Sequence, residues 1–264
     1  VWAMDVARFG DYASPQYGTI KSSENYERRF IMTFPNETLP KGRKQKTTAL
    51  YDRFVNQGAV MGDSFGLENV LWFANNKEDA HEEPTIKRSR SHDYVSKEVI
   101  NVRENVGLIE VANFSKHEFK GPDARKFLDH IMAGRLPKPG RISLSPMLSY
   151  RGKLCGDLTV ACLDENEFMV FGSGAAQEMH RRWFESHLDK FDLSYSNRSD
   201  EYHGLSIAGP NSRKVLEKIV RDDVSNEKFK FRDSRRMFVG GVPAIINRIS
   251  FTGELGYEIY VAPH

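Results

Sequence analysis

Two carboxylates set in apolar, alternating stretches are the residues of this chain best placed for chemistry. Asp157 lies in Leu154-Cys155-Gly156-Asp157-Leu158-Thr159-Val160-Ala161-Cys162. Regular strand parity sends Leu154, Leu158 and Val160 to one face and Cys155, Asp157, Thr159 and Ala161 to the other. An isolated carboxylate is costly to bury, so Asp157 meets a fixed donor, faces a ligand cavity or sits on a solvent-facing edge. Spacing alone leaves all three open. Glu258 lies in Gly256-Tyr257-Glu258-Ile259-Tyr260-Val261, where Tyr257, Ile259 and Val261 share one face and Glu258 and Tyr260 the other. Taken by itself, that second face reads as solvated.

Other motifs have plainer explanations. Gly62-Asp63-Ser64-Phe65-Gly66 fits the Gly-x-Ser-x-Gly of hydrolases, but no clean helix follows it and no ordered Asp and His partners lie downstream. A glycine turn accounts for it better. Gly172-Ser173-Gly174 lacks both Gly-Lys-Ser/Thr and a full Gly-x-Gly-x-x-Gly, which argues against a nucleotide-phosphate site. Ser173 suits an N-cap at a strand-to-helix turn, and that turn remains a candidate ligand contact. The eight histidines, among them His92, His117, His130 and His203, show no metal-ligand spacing and no triad order. Most are expected at the surface, and no metal site is expected. The two cysteines, Cys155 and Cys162, fall by parity on opposite faces and form no Cys-x-x-Cys. A reducing compartment fits: the cytoplasm, or the mitochondrial matrix in a eukaryote.

These residues must be positioned by a chain of 264 residues with 39% hydrophobic and 28% charged content, which is room for one large domain or two ordinary ones. No apolar run approaches the ~18 residues of a membrane span. Lys plus Arg at 38 against Asp plus Glu at 36 is too balanced to advertise a nucleic-acid or anionic-membrane surface. Residues 26–34 alternate loosely and read as strand, and Thr47 to Phe54 reads as a short capped helix ended by Gly58. The charged stretch at 75–92 reads as a connector. Val95, Val99, Val102 and Val106 then form a helical stripe that stops at Gly107.

An internal repeat follows. Gly121-Pro122-Asp123-Ala124-Arg125-Lys126-Phe127-Leu128 returns as Gly209-Pro210-Asn211-Ser212-Arg213-Lys214-Val215-Leu216. In each copy a strand (108–111 in the first, 204–208 in the second) runs into Gly-Pro, with proline in the first helical turn. Strands come next: 154–163 turning into 167–171, and 244–250 turning into 257–261. Each unit reads β-α-β-β, the start of a ferredoxin-like arrangement. The first copy has its second helix at 177–188 with Trp183 and Phe184 in its core. The second copy stops short of one, so together with the opening Val1-Trp2-Ala3 we expect both ends, down to His264, to be cuts in a longer chain.

Over roughly residues 92–264 the sequence resembles the folate-binding aminomethyltransferase family, typified by the aminomethyltransferase of the glycine cleavage system. The matching pieces come in family order: Val106-Gly107-Leu108, Gly121-Pro122-Asp123-Ala124, Pro146-Met147-Leu148, Gly156-Asp157-Leu158-Thr159-Val160, Gly209-Pro210, and Thr252-Gly253-Glu254-Leu255-Gly256-Tyr257-Glu258-Ile259. Phe65-Gly66-Leu67-Glu68 and Leu71-Trp72-Phe73-Ala74 resemble the tail of the flavin-dependent oxidoreductase part of dimethylglycine and sarcosine dehydrogenases.

The resemblance implies an α+β fold of duplicated ferredoxin-like β-α-β-β units at 87–264, truncated at its C-terminus, behind a flavoprotein-like segment at 1–86. It implies tetrahydrofolate as cofactor, a methylated amine as substrate, FAD only in a longer parent, and 5,10-methylenetetrahydrofolate as product. By the same resemblance Asp157 is the catalytic aspartate beside the reactive folate nitrogens, and Glu258 holds the pterin ring. Leu144 and Phe251 stand where the family often places an aromatic ring and a tyrosine, and Gly156 replaces the first acid of an Asp-Asp pair. The family's folate-site arginine would lie beyond His264. A non-catalytic folate-binding regulatory or assembly protein, or a folate-dependent demethylase of methylated osmolytes, are the alternatives. The oligomeric state is left open.

Overall fold

The computed structural model describes residues 4–35 and 37–262. Expectations resting on Val1-Trp2-Ala3 and His264 lie outside them. The chain divides into two compact units, residues 9–101 and residues 102–264 with 1–8. No helix of the described residues is long and apolar enough to cross a membrane.

In the first unit α1 (Pro15–Glu27) opens with the Ser14 hydroxyl accepting from the Tyr17 N–H and with proline in its first turn. The helix therefore takes Tyr26, and 28–34 is turn and irregular chain, so no strand forms at 26–34. The alternation there was too loose to compete with a well-capped helix. The short capped helix expected at Thr47 to Phe54 forms later, as α2 (Tyr51–Asn56), with Leu50 at its N-cap, no side-chain capping bond, and Phe54 buried. It leads to a hairpin of β1 (Ala59–Ser64) and β2 (Leu67–Phe73). Val60, Trp72 and Ala74 form a small core there, with Tyr94 and Val95 packed on it. Those two belong to α3 (Ser91–Glu104), which forms where the valine stripe predicts, although none of its residues is buried.

The second unit contains two five-stranded antiparallel sheets. After β3 (Gly107–Glu110) come β4 (Ser115–Lys120), α4 (Ala124–Ile131), β5 (Arg141–Leu148), β6 (Leu154–Asp164), β7 (Glu167–Gly172), α5 (Gln177–Glu185) and β8 (Ser194–Asn197). The repeat then supplies β9 (His203–Ala208), α6 (Ser212–Leu216), β10 (Ser234–Val239), β11 (Val242–Asn247) and β12 (Gly256–Val261). The sheet orders are β5-β6-β7-β4-β8 and β10-β11-β12-β9-β3. Position by position they are the same, with β3 standing where the first half has β8.

This corrects two sequence-based expectations. The strand feeding the first Gly-Pro is β4, not 108–111, which as β3 pairs with β9 in the other sheet. The edge position next to β9 is thus filled by a strand that precedes both repeats. Pro122 also lies in the turn ahead of α4 rather than in its first turn, since the helix starts after Asp123.

The repeated glycines have a common cause. Gly121 has φ +138°, and a Cβ there would come within 2.7 Å of the Leu193 Cα and 2.8 Å of the Asp192 carbonyl oxygen. Gly209 has φ +121°, and its Cβ would lie 2.5 Å from both the Val102 and Asn105 carbonyl oxygens. Matching clasps follow: the Asp123 N–H donates to the Asp192 carbonyl and the Asp192 N–H to Asp123 Oδ2. The Asn211 N–H donates to the Asn105 carbonyl, and Asn211 Nδ2 to Asn105 Oδ1 at 2.8 Å. Each Gly-Pro-Asp/Asn locks a helix start onto the turn before an edge strand, β8 or β3.

Helices cover the outer faces. Ala124, Phe127, Leu128, Ile131 and Phe184 pack against Phe119, Leu158, Val160, Phe168 and Val170. On the other sheet Leu216, Val220, Val224 and Phe229 pack against Ile207, Ile246, Tyr257 and Ile259. Between the inner faces Ile142, Ala161, Met169 and Phe171 meet Ile245 and Tyr260. The order is helix, sheet, sheet, helix, and each buried large apolar side chain contributes about 1.5–3 kcal/mol.

Candidate functional site

Asp157 and Glu258 come from different sheets but from the faces that look toward each other. On β6 the inner face is marked by Ala161 and Leu163, both in the intersheet cluster, and Asp157 shares their parity. On β12 it is marked by Tyr260, whose ring stacks on Phe171 of β7 at 4.4 Å between centroids and 25°. Glu258 is two residues before Tyr260. Thr159, two residues after Asp157, pairs with Phe171. Leu144 pairs with Thr159 on the same face and is 60% exposed.

The two carboxylates have opposite environments. Glu258 is buried, and its Oε2 accepts a 2.9 Å hydrogen bond from the Tyr260 hydroxyl. Burial raises its pKa, and the Tyr260 donor offsets part of that rise. The Tyr260 hydroxyl is in turn pushed well above its ordinary value, first by its own burial and then by Glu258. Directly across the β11–β12 ladder sits Asn247, fully buried, whose Oδ1 accepts from the Ser234 hydroxyl. Its Nδ2 is buried with no acceptor among the described residues. Asp157 is exposed and opposite Pro146. Its carboxylate makes no hydrogen bond or ion pair with a described residue. One acid is thus held in a shielded polar niche while the other is open to solvent.

The solvated reading of the Glu258 face is therefore overturned, because both faces of this sheet are covered. The parity assignment itself holds for β12, and for β6 from Asp157 onward. It fails at Cys155, where β6 carries a bulge: Met147 pairs with Gly156 but Leu148 with Leu154. The extra residue turns Cys155 toward the outer cluster, the face that also buries Cys162. Both cysteines are free.

Phe251 lies in the loop between β11 and β12, 94% exposed. Ser173 is exposed at the head of a short turn, Gly174–Ala176, and its side chain makes no capping bond. Gly174 is required by packing, since a Cβ there would sit 2.1 Å from the Asn113 carbonyl oxygen. Both side chains face solvent. The Gly62-to-Gly66 motif is the β1–β2 turn, with Phe65 at φ 52° and Gly66 at φ 82° and Ser64 paired to Leu67. A strand-to-strand turn of this kind is a hairpin, not a nucleophile elbow.

The histidines depart most from expectation. His117, His180 and His203 are all buried. Burial, with His180 beside it, drives His117 down to about 3, and its Nδ1 meets the Tyr195 hydroxyl at 2.9 Å. Burial likewise lowers His180 and His203. Lys116 is also buried, lowered by burial to about 8, with its ammonium donating to the carbonyls of Ala112, Phe114 and Ser199. Sequence reasoning missed Tyr260, Asn247 and His180 as site neighbours. Only the shared parity of Glu258 and Tyr260 pointed to any of them.

Two ferredoxin-like halves packed sheet to sheet define the fold class of the glycine cleavage aminomethyltransferases. The structure of aminomethyltransferase T from Bartonella henselae superposes with a TM-score of 0.67 at 22% identity, over 83% of this chain and 54% of that one. The chain belongs to the GCVT N-terminal domain family, whose model matches residues 50–264. Residues 1–48 match the FAD dependent oxidoreductase central domain. Mitochondrial dimethylglycine dehydrogenase of Homo sapiens is 34% identical over 97% of this chain, and the chain spans 30% of that protein. The aminomethyltransferase of Thermosipho melanesiensis is 30% identical over 81% of this chain and 54% of its own length.

Proposed function

We propose that the second unit binds tetrahydrofolate between its sheets and serves one-carbon transfer as part of a dimethylglycine or sarcosine dehydrogenase-like enzyme, with a methylated amine as the carbon source. The observation carrying this reading is the pairing of an exposed acid, Asp157, and a niche-bound acid, Glu258, on facing inner faces. The residues fit a reduced pterin, whose edge offers both donors and acceptors: Glu258 would accept its N–H groups, and Asn247 Nδ2 is a buried donor still lacking an acceptor. When bound, tetrahydrofolate supplies the nitrogens that take up the one-carbon unit. Asp157 would stabilise the cationic carbon donor and accept the proton released, which suits an exposed carboxylate with no competing partner.

Residues 1–48 give family support for a flavoprotein parent, but the chain holds no glycine-rich dinucleotide fingerprint, so no step here runs through a flavin. Domain limits of 1–86 and 87–264 and a mitochondrial matrix location belong to the same proposal; the mitochondrial relatives support the latter.

The test is calorimetry with tetrahydrofolate combined with folate-dependent uptake of formaldehyde above the uncatalysed rate. Asp157→Asn should keep binding and lose transfer by roughly 10²–10⁴-fold. Glu258→Ala should weaken binding by about 1.5–3 kcal/mol, the worth of a charge-assisted hydrogen bond. Undiminished binding by Glu258→Ala contradicts the assignment, and binding with no transfer in the parent supports the regulatory alternative.

A further inference from the structure

The Asp157 carboxylate is fixed by nothing it touches, so its direction depends on how its backbone is held. That backbone is weakly tied. Toward β5 it lies opposite Pro146, whose carbonyl turns away to accept from the Ala133 N–H, so this pair exchanges no ladder hydrogen bonds. On the other side, the pairing of β6 with β7 begins only at Thr159. Two residues upstream, the bulge leaves Cys155 outside the β5–β6 ladder. Bulges bend a strand and re-aim its side chains, and an untethered one would leave the bend loose.

We propose that His180 of α5 is a positioning residue that clamps this bulge and thereby sets the aim of Asp157. The inference rests on the reading of Asp157 as the proton acceptor. His180 Nε2 lies 3.3 Å from the Cys155 carbonyl oxygen. A carbonyl only accepts, so Nε2 carries the proton of the ring and Nδ1 is left as the lone-pair nitrogen. Burial keeps that ring neutral, so the donor is a single fixed N–H. The ring also rests on two glycines. A Cβ at Gly156 would come 2.8 Å from Nε2, and one at Gly172 would come 3.1 Å from Nδ1. Gly156 at the position before Asp157 is thereby explained as the space that admits the imidazole. The ring's other neighbours, His117 and Phe184, lie at centroid distances of 6.3 and 6.4 Å.

The experiment compares the whole chain with His180→Phe, which keeps an aromatic ring and removes the donor, and His180→Gln, which returns an amide N–H. Gly156→Ala, which crowds Nε2 without touching His180, covers the case in which His180→Phe does not fold. Amide hydrogen exchange at 155–158, tetrahydrofolate calorimetry and formaldehyde uptake are read on each.

His180→Phe and Gly156→Ala should exchange at least ~10-fold faster at 155–158 and lose up to about 10²-fold in kcat, the scale of an ångström's misplacement. KM and tetrahydrofolate affinity should stay within about threefold, and His180→Gln should recover most of the rate. Parent-like exchange and turnover in His180→Phe, or loss of folate affinity in step with rate, overturns the clamp while leaving Asp157 in its role. A parent that takes up no formaldehyde, with Asp157→Asn no different, removes the Asp157 reading and the clamp together.

Discussion

The Tyr260 hydroxyl donates to Glu258 Oε2 at 2.9 Å while the same ring stacks on Phe171 of the opposite sheet. One side chain therefore both joins the two halves of the repeat and donates to the acid proposed to receive the pterin, offsetting part of the rise that burial imposes on it. The stack itself is worth about 0.5–1.5 kcal/mol beyond its buried area.

Tyr260→Phe keeps the stack and removes the donor. The Glu258 carboxyl, already raised by burial, should rise further, so tetrahydrofolate affinity should fall at neutral pH and recover as pH is raised. Calorimetry across pH 6 to 9 checks this; a pH-independent loss would show that the hydroxyl touches ligand rather than tuning Glu258.

Binding should release protons. Burial raises the Glu258 pKa in the free protein, whereas accepting pterin N–H groups favours the carboxylate, so binding pulls that pKa down. Calorimetric enthalpies in phosphate and in Tris at one pH should differ in the sense of proton release, and Glu258→Gln should abolish the difference. Identical enthalpies in both buffers for the parent count against an acid at this position acting as acceptor.

The buried histidines predict acid lability. His117 is depressed to about 3 from an ordinary 6.5, and His180 and His203 move the same way. A base with a depressed folded pKa contributes stability above its unfolded value, which is lost as pH falls through 6.5 toward the folded value. Each such group steepens the loss by up to about 1.4 kcal/mol per pH unit. Urea midpoints between pH 7 and 4 should fall, and His117→Gln should flatten the slope; an unchanged slope removes His117 as a cause.

Gly209 and Gly240 separate packing from backbone preference. Both have positive φ, but a Cβ at Gly209 would strike two backbone oxygens while one at Gly240 meets nothing within 4 Å. Gly240→Ala should cost about 1–2 kcal/mol from conformation alone, and Gly209→Ala clearly more, by urea denaturation. Equal losses would mean that the turn before β3 moves away freely.

Legibility in the sequence followed hydrophobicity and punctuation. The Gly-Pro repeat, β6, β7, β12 and α5 were all visible because apolar spacing and turn residues agreed. β4 was not, since Ser115-Lys116-His117-Glu118-Phe119-Lys120 looks like surface. Five of its six residues are nevertheless buried. Three carbonyls hold the Lys116 ammonium and His117 is neutral, and neither compensation leaves a mark on local pattern. β5 was hidden by Ser143, Ser145 and Pro146, and the edge role of β3 depends on a partner far along the chain. At the site, Asp157 and Glu258 could be proposed from the family pattern and parity, whereas Asn247 and His180 depend on burial that only three dimensions supply.

The place of β3 in the second sheet has a consequence for biosynthesis. During translation the segment emerges roughly a hundred residues before its partner β9. Leu108 and Ile109, still more than half exposed in the finished fold, would wait on the nascent chain as an unpaired strand while the first half completes itself. Assembly of the later half is thus tied to a chain segment already outside the ribosome, and that waiting interval is where a holdase would find its grip.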